Sequence, residues 1–259
     1  FDVERARDFV AKLPFALTGA QRKAAWHIIQ NFASGQPMNR LLQGDVGSGK
    51  TIVAGMCAYM AAQAGYQSAL LAPTELLAIQ HARTLAGLLE TFGVTVGLLT
   101  GSLAKKPKEL LKQQIKAGAV AVTVGTHALL QDDVNFAKLG FVVIDEQHRF
   151  GVAQRQKLLL KSANMPHMLA MTATPIPRSL QLTVYGELEV SILGEKPVGR
   201  KEILTKIVSP TSRSRLFETI DQSIGHGRQL YVVCPLIEST EANQKAGETE
   251  LRSVTFEYE

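Results

Sequence analysis

Between residues 40 and 171, short apolar runs alternate with stretches in which apolar side chains recur every three or four positions. The runs cover residues 40–43, 68–72, 95–99, 120–124, 141–144 and 167–171, and the amphipathic stretches lie near 51–64, 74–92, 106–117 and 152–161. Runs that stay apolar instead of alternating are strands covered on both faces, and strands separated by helices pair in parallel. The pattern therefore predicts an α/β domain with a mostly parallel sheet flanked by helices. In such sheets ligands gather at the carboxyl ends of the strands. Upstream, Val3, Ala6, Phe9, Val10 and Leu13 repeat with helical period until Pro14 stops the helix. Thr18 opens a second helix that runs to about Ala33, where Ser34-Gly35-Gln36-Pro37 ends it.

After Ile192 the pattern changes. Gly194-Glu195-Lys196-Pro197-Val198-Gly199-Arg200 reads as a linker. A strand over 202–208, a helix capped by Thr211 or Ser212, and a strand over 229–234 then predict the start of a second α/β unit. Few residues remain to close a domain of ordinary size, and the tail from Glu238 is polar and acidic.

Composition narrows the picture. Hydrophobic residues make up 46% of the 259 and aromatics only 6%, which suits a helix-flanked sheet better than an all-β sandwich. A net charge of +5 permits a polyanionic partner without demanding one. Cys57 and Cys234 lie far apart with no metal-ligand spacing, so neither a structural metal nor a disulfide framework is expected. The opening Phe-Asp-Val-Glu-Arg-Ala-Arg is no signal peptide, and no run of about 18 apolar residues offers a membrane span. A soluble, cytoplasmic protein is expected, and residue 1, lacking an initiator Met, is not expected to be the natural start.

The chemistry begins at Gly44-Asp45-Val46-Gly47-Ser48-Gly49-Lys50-Thr51, which matches G-x-x-x-x-G-K-[ST] between a strand and a helix. Gly44, Gly47 and Gly49 let the backbone curl, so that N–H groups of Asp45, Val46, Ser48 and their neighbours converge on phosphate oxygens. The following helix points its positive end at the same place. Lys50 is suited to the β- and γ-phosphates of ATP, and the Thr51 hydroxyl to Mg²⁺. A second apolar run ends in Asp145-Glu146-Gln147-His148. Asp145 is suited to hold Mg²⁺ through its water shell, and Glu146 to act as general base on the attacking water. The plainer alternative is a pair of acids that end a strand and cap a helix.

These motifs, with Thr172-Ala173-Thr174, resemble motifs I, II and III of the superfamily 2 helicases. More narrowly, Leu13-Pro14-Phe15-Ala16-Leu17-Thr18, the string from Pro37 to Thr51, Asp145-Glu146-Gln147-His148-Arg149-Phe150-Gly151-Val152 and Thr172-Ala173-Thr174-Pro175-Ile176-Pro177-Arg178 resemble the RecG branched-DNA helicase family. The transcription-repair coupling translocases are similar but typically read Asp-Glu-Glu-His, so Gln147 favours RecG. The resemblance implies a linker helix over 1–14, an ATP-binding RecA-like lobe over 15–193, a linker over 194–200 and an incomplete second RecA-like lobe over 201–259. It implies ATP and Mg²⁺ as cofactors and branched DNA, a fork or four-way junction, as partner; it names no protein partner.

Residue by residue, the resemblance gives Gln21 the adenine edge, although Thr18-Gly19-Ala20-Gln21 is also a capping box. Thr172 and Thr174 would couple nucleotide to nucleic acid, with Gln147 and His148 as their partners. Thr74, Glu75, Thr100, Gly101, Gly125, Thr126 and His127 follow predicted strands and resemble the DNA-backbone motifs, with an ordinary N-cap as the alternative for Thr74. Lys105, Lys106, Lys108, Lys112 and Lys116 form the densest basic stretch, read first as a solvated helix face. Arg149, Arg155 and Arg178 are further DNA candidates. Nothing in the chain corresponds to the family's wedge domain, and the likeness fades after Thr240. ATP·Mg²⁺ is expected to bind but to be hydrolysed poorly by this chain alone; a non-hydrolysing nucleotide- or DNA-binding fragment is the remaining alternative.

Overall fold

Each apolar run becomes a strand because helices cover both of its faces. In the computed structural model the strands are β1 (Asn39–Gly44), β2 (Gln67–Leu71), β3 (Val96–Leu99), β4 (Val122–Gly125), β5 (Leu139–Asp145), β6 (His167–Thr172) and β7 (Glu189–Leu193). They form one sheet in the order β3-β4-β2-β5-β6-β1-β7, every pair parallel. The helices are α1 (Val3–Ala11), α2 (Gly19–Phe32), α3 (Lys50–Gln63), α4 (Glu75–Leu89), α5 (Lys105–Lys116), α6 (Val152–Leu159) and α7 (Arg213–Gly225). The structure describes residues 2–174, 188–195 and 203–234. It divides into two units, Phe1–Arg200 and Lys201–Glu259.

Successive residues of a strand feed different cores. Phe141 and Val143 join Leu42, Leu70 and Leu169 under α1 to α4, which contribute Phe9, Ile28, Cys57 and Leu85. Val142 and Ile144 join Leu71 and Leu99 on the opposite face, against Ile115 of α5 and Leu158 of α6. Truncating one such leucine to alanine costs about 2–5 kcal/mol against a whole-domain stability of about 5–15 kcal/mol. Packing on both faces therefore fixes where the strands end.

The helix starts follow their sequence signals. Asp2 caps α1 by accepting from the Glu4 and Arg5 N–H groups, and Thr18 caps α2 in a complete box with Gln21. Thr74 caps α4 by accepting from Leu77 N–H.

Two expectations need amendment. β7 is an additional edge strand: its burial alternates, with Glu189 and Ile192 exposed, so it lacks the continuous apolar run of a central strand. Buried Arg40 of β1 anchors it by donating to Ser191 Oγ at 2.9 Å and pairing with Glu189. In the second unit α7 forms after Ser212, whose side chain makes no capping bond. The strands expected over 202–208 and 229–234 do not form in residues 203–208 and 229–234. Ile207 and Val233 lie open to solvent there, and apolar residues make a strand only when a neighbouring backbone takes their hydrogen bonds. Most of the linker, Glu202 and the tail lie outside the described residues.

Candidate active site

The turn after β1 carries the phosphate-loop motif. Gly47 and Gly49 have φ of 76° and 88°, a region that side-chain-bearing residues rarely occupy. A Cβ on Gly44 would stand 2.5 Å from Ser48 Oγ and 2.9 Å from Leu193 Cβ, and one on Gly49 would strike Gln21 Nε2. Only glycine fits at either place. α3 starts immediately afterwards, with the N–H groups of Ile52 and Val53 closing onto Gly49 O at 3.1 and 3.2 Å, so the positive end of the helix lies at the loop. Val46 N–H bonds Asp45 Oδ1 at 2.8 Å, and Ser48 N–H bonds Asp45 O at 3.1 Å.

Lys50 Nζ donates to the carbonyls of Gly44 at 2.6 Å and Asp45 at 3.1 Å, which holds the ammonium inside the loop's curve. Burial lowers its pKa below the ordinary lysine value, while the carboxylates of Asp145, Glu146 and Asp45 oppose that shift. Gln21 is buried with both halves of its amide engaged. Oε1 accepts from Thr18 N–H at 2.9 Å, as the capping box requires, and Nε2 donates to Ser48 O at 2.7 Å. The capping role is thus realised, and the same side chain ties α2 to the phosphate loop.

Asp145 ends β5, two strands from β1, with β6 between them. Its Oδ2 lies 2.7 Å from His81 Nε2, and His81 Nδ1 lies 3.3 Å from Thr51 Oγ1. The sequence reading missed His81. The available signal was a polar residue within the buried stripe Ala78, Ala82, Leu85 and Leu89 of α4. Thr51 and Asp145 supply oxygen donors, and among the described residues no cluster of three or more His, Cys, Asp or Glu forms a closed metal cage. Two oxygen side chains suit Mg²⁺, which keeps several waters and takes its remaining ligands from substrate phosphates.

Glu146 has φ 47° and ψ 58°, the one non-glycine with positive φ among the described residues. That conformation costs about 1–3 kcal/mol and is kept only where surrounding contacts over-determine it. Here Oε2 accepts from Thr172 Oγ1 at 3.4 Å, Oε1 accepts from Ala173 N–H at 3.3 Å, and His148 Nδ1 lies 3.5 Å from Oε2. Thr172 Oγ1 in turn meets Thr174 Oγ1 at 2.9 Å and accepts from Thr174 N–H at 3.2 Å. Thr172 and His148 therefore meet Glu146 directly, and Thr174 joins them through Thr172. Gln147 does not join them: it is buried, and its Oε1 has no hydrogen-bond partner among the described residues.

The remaining candidates lie at the ends of β2, β4 and β3. Thr74 caps α4. The Glu75 carboxylate accepts from Ser102 N–H at 3.0 Å, and hydrogen bonds from Ser102 hold its pKa below the usual carboxylate range. Glu75 thus clamps the loop that carries Thr100 and Gly101. Thr100 is buried, with Oγ1 3.2 Å from Ser102 Oγ. Gly125 packs so closely that a Cβ would strike the Leu99 carbonyl of β3. Thr126 is buried, and exposed His127 has its ring 5.5 Å from that of Phe150. In the basic stretch Lys112 is buried and paired with Asp133 and Glu109, whereas Lys105, Lys106 and Lys116 are exposed and Lys108 is half-buried. Arg149 is exposed, Arg155 half-buried, and Arg178 lies outside the described residues.

The profile of the DEAD/DEAH box helicase family matches residues 18–183. The ATP-dependent DNA helicase RecG of Aquifex aeolicus is 46% identical over 259 residues, all of this chain and 32% of that protein. RecG of Bacillus subtilis is 48% identical over 241 residues, 93% of this chain and 35% of that protein. The chain thus spans about a third of the length of these curated relatives. A structure of RecG bound to a three-way DNA junction superposes with a TM-score of 0.80 at 43% identity, over 91% of this chain and 32% of that one. The MrfA helicase, at 17% identity and a TM-score of 0.65 over 93% of this chain and 39% of that one, shares the fold. With the profile covering well over half of its residues, the chain belongs to the DEAD/DEAH box helicase family and is RecG-like within it.

Proposed function

We propose that this chain is the ATP-binding and ATP-hydrolysing lobe of a DNA motor that remodels branched DNA, acting in the cytoplasm. The observation that carries the reading is the order of the strand ends. The phosphate loop on β1 is followed across the sheet by Thr172 and Thr174 at β6, Asp145 and Glu146 at β5, and the DNA-backbone candidates at β2, β4 and β3. The hydrogen bonds of Glu146 to Thr172 and Ala173 join the ends of β5 and β6. RecG relatives, one of them bound to a three-way junction, favour branched DNA over the transcription-repair translocase.

In this reading the curve of Gly44–Gly49 and the start of α3 hold the phosphates, and Lys50 exchanges its loop carbonyls for phosphate oxygens. Gln21, which donates to Ser48 O, links the loop to the adenine side. Mg²⁺, when bound through Thr51 and Asp145, supplies charge neutralisation on the phosphates. Glu146 accepts the proton of the attacking water, releasing its hold on Thr172 as it does so. That exchange of partners tells the DNA side of the sheet which nucleotide state is present. Thr74, Thr100, Gly101, Gly125, Thr126 and His127 offer hydroxyls, N–H groups and close backbone approach, which grip phosphates without reading sequence. Glu75 holds the Gly101–Ser102 loop in shape.

The domain division over 1–14, 15–193, 194–200 and 201–259 belongs to the same proposal. Among the described residues no helix is long and apolar enough to cross a membrane. An arginine finger from a second lobe is worth about 10³–10⁵ in rate. These 259 residues alone are therefore expected to bind ATP·Mg²⁺ but turn it over slowly. In the complete motor, Glu146→Gln should leave nucleotide affinity unchanged and cut turnover by about 10²–10⁴-fold. Turnover retained in Glu146→Gln would remove this residue as the base and undo the assignment of the site.

A further inference from the structure

His81 has no part in the proposed hydrolysis, yet it sits between two of the residues that carry it. It projects from the middle of α4, among buried Ala78, Ala82 and Leu85. A histidine in such a stripe is commonly a core residue whose ring is satisfied locally. Here each ring nitrogen instead reaches a different element: Nε2 lies 2.7 Å from Asp145 Oδ2 on β5, and Nδ1 lies 3.3 Å from Thr51 Oγ1 on α3. The His81 and Asp145 side chains are only 11% and 9% exposed, so water competes weakly for these bonds.

The donor and acceptor roles then follow. A carboxylate can only accept, so Nε2 carries the hydrogen that Asp145 receives. In the tautomer with its hydrogen on Nε2, Nδ1 is an acceptor and the Thr51 hydroxyl donates to it. The proton of Thr51 is thereby turned toward His81, which leaves its lone pairs free for a cation. Among the described residues the side-chain hydrogen bond of Asp145 runs through Oδ2, so Oδ1 is the oxygen left to face a cation. One ring thus sets the orientation of two oxygen ligands that come from different elements.

We propose that His81 is the positioning residue of the magnesium site. It holds Thr51 and Asp145 in register, and so sets how strongly a divalent cation binds beside the nucleotide, without setting how strongly the nucleotide binds alone. This inference rests on the assignment of Thr51 and Asp145 as the magnesium ligands. The ring acts through those oxygens and not as a ligand, because Mg²⁺ prefers oxygen donors. Groups that orient metal ligands in this way are typically worth about 10–100-fold in metal affinity.

The test uses Mn²⁺ as the probe, titrated by electron paramagnetic resonance onto the protein·ADP complex, with fluorescent ADP binding in EDTA as the metal-free reference. His81→Ala should weaken Mn²⁺ by about 10–100-fold and leave ADP affinity in EDTA unchanged. His81→Gln, whose Nε2 can still donate to Asp145, should recover part of the loss, and it carries the test if His81→Ala fails to fold. Asp145→Asn is the control for the underlying assignment. If Asp145→Asn leaves Mn²⁺ affinity intact, the ligand assignment fails and this inference with it. If Asp145→Asn weakens Mn²⁺ and the His81 variants do not, the ligand assignment stands and the role of His81 is overturned. An equal loss of ADP affinity in EDTA would make His81 a support of the loop. A directly bonded nitrogen in the Mn²⁺ spectrum, absent from His81→Ala, would make it a ligand. Either result overturns the proposal.

Discussion

Thr74 caps a helix and is also proposed to contact DNA, and a pair of substitutions can separate the two. Its hydroxyl accepts from Leu77 N–H at 3.3 Å and so caps α4, and it stands where the proposed DNA backbone would pass. Thr74→Ala should cost about 1 kcal/mol of stability through loss of the cap. Thr74→Asp keeps an acceptor and favours the positive end of the helix, so it should melt no lower than the parent. Its added charge should nevertheless weaken junction binding measured by fluorescence anisotropy. Unchanged DNA affinity in Thr74→Asp would take Thr74 out of the interface. At this scale the sequence was most legible where chemistry is local. The phosphate loop and Asp145-Glu146 are contiguous strings, and the Thr18–Gln21 box spans one helical turn. The bond from Gln21 to Ser48 crosses 27 positions, and those of His81 cross 30 and 64, so no pattern along the chain announces them. The burial of Lys112 was hidden for the same reason: Glu109 is local, but the second ion-pair partner, Asp133, lies 21 positions away, beyond α5.

Among the elements, the junction of β1 and β6 should respond to pH. His167 Nδ1 accepts from Met38 N–H at 3.1 Å, and burial lowers the ring's pKa below its ordinary 6.5. The unfolded chain therefore takes up the proton near pH 6.5 while the folded ring stays neutral. Stability should fall as pH drops below that value toward the folded pKa. His167→Asn, whose amide oxygen can accept the same bond, should lose that part of the pH dependence in thermal melts; an identical pH profile would exclude His167 as its source. A second element-level test lies at Gly125, where an added Cβ would meet the Leu99 carbonyl, a backbone atom that cannot swing aside. Gly125→Ala should cost about 1–3 kcal/mol in urea unfolding by forcing β3 and β4 apart. A neutral effect would mean that this ladder yields easily. The central strands were legible because burial on both faces leaves unbroken apolar runs. β7 was not, since an edge strand needs only one packed face. Residues 203–208 show the converse, an apolar run with no ladder to join.

At the scale of the whole molecule, the proposed coupling would make the phosphate-loop end of the sheet and the proposed DNA end energetically one system. The order β3-β4-β2-β5-β6-β1-β7 puts the strands bearing Glu146 and Thr172 between the two. The bonds from Thr172 to Glu146 at 3.4 Å and to Thr174 at 2.9 Å would provide the path of the proposed coupling. A coupling between two ligands is reciprocal, so DNA must change nucleotide affinity if nucleotide changes the grip on DNA. The most direct measurement is the affinity of this chain for a fluorescent, slowly hydrolysed ATP analogue, with and without a three-way DNA junction, in the parent and in Thr174→Val. A junction-induced change of about 5–150-fold is expected in the parent. In Thr174→Val that change should be much reduced, with DNA-free nucleotide affinity preserved. A junction that binds without altering nucleotide affinity, or a Thr174→Val chain that responds as the parent does, would contradict it.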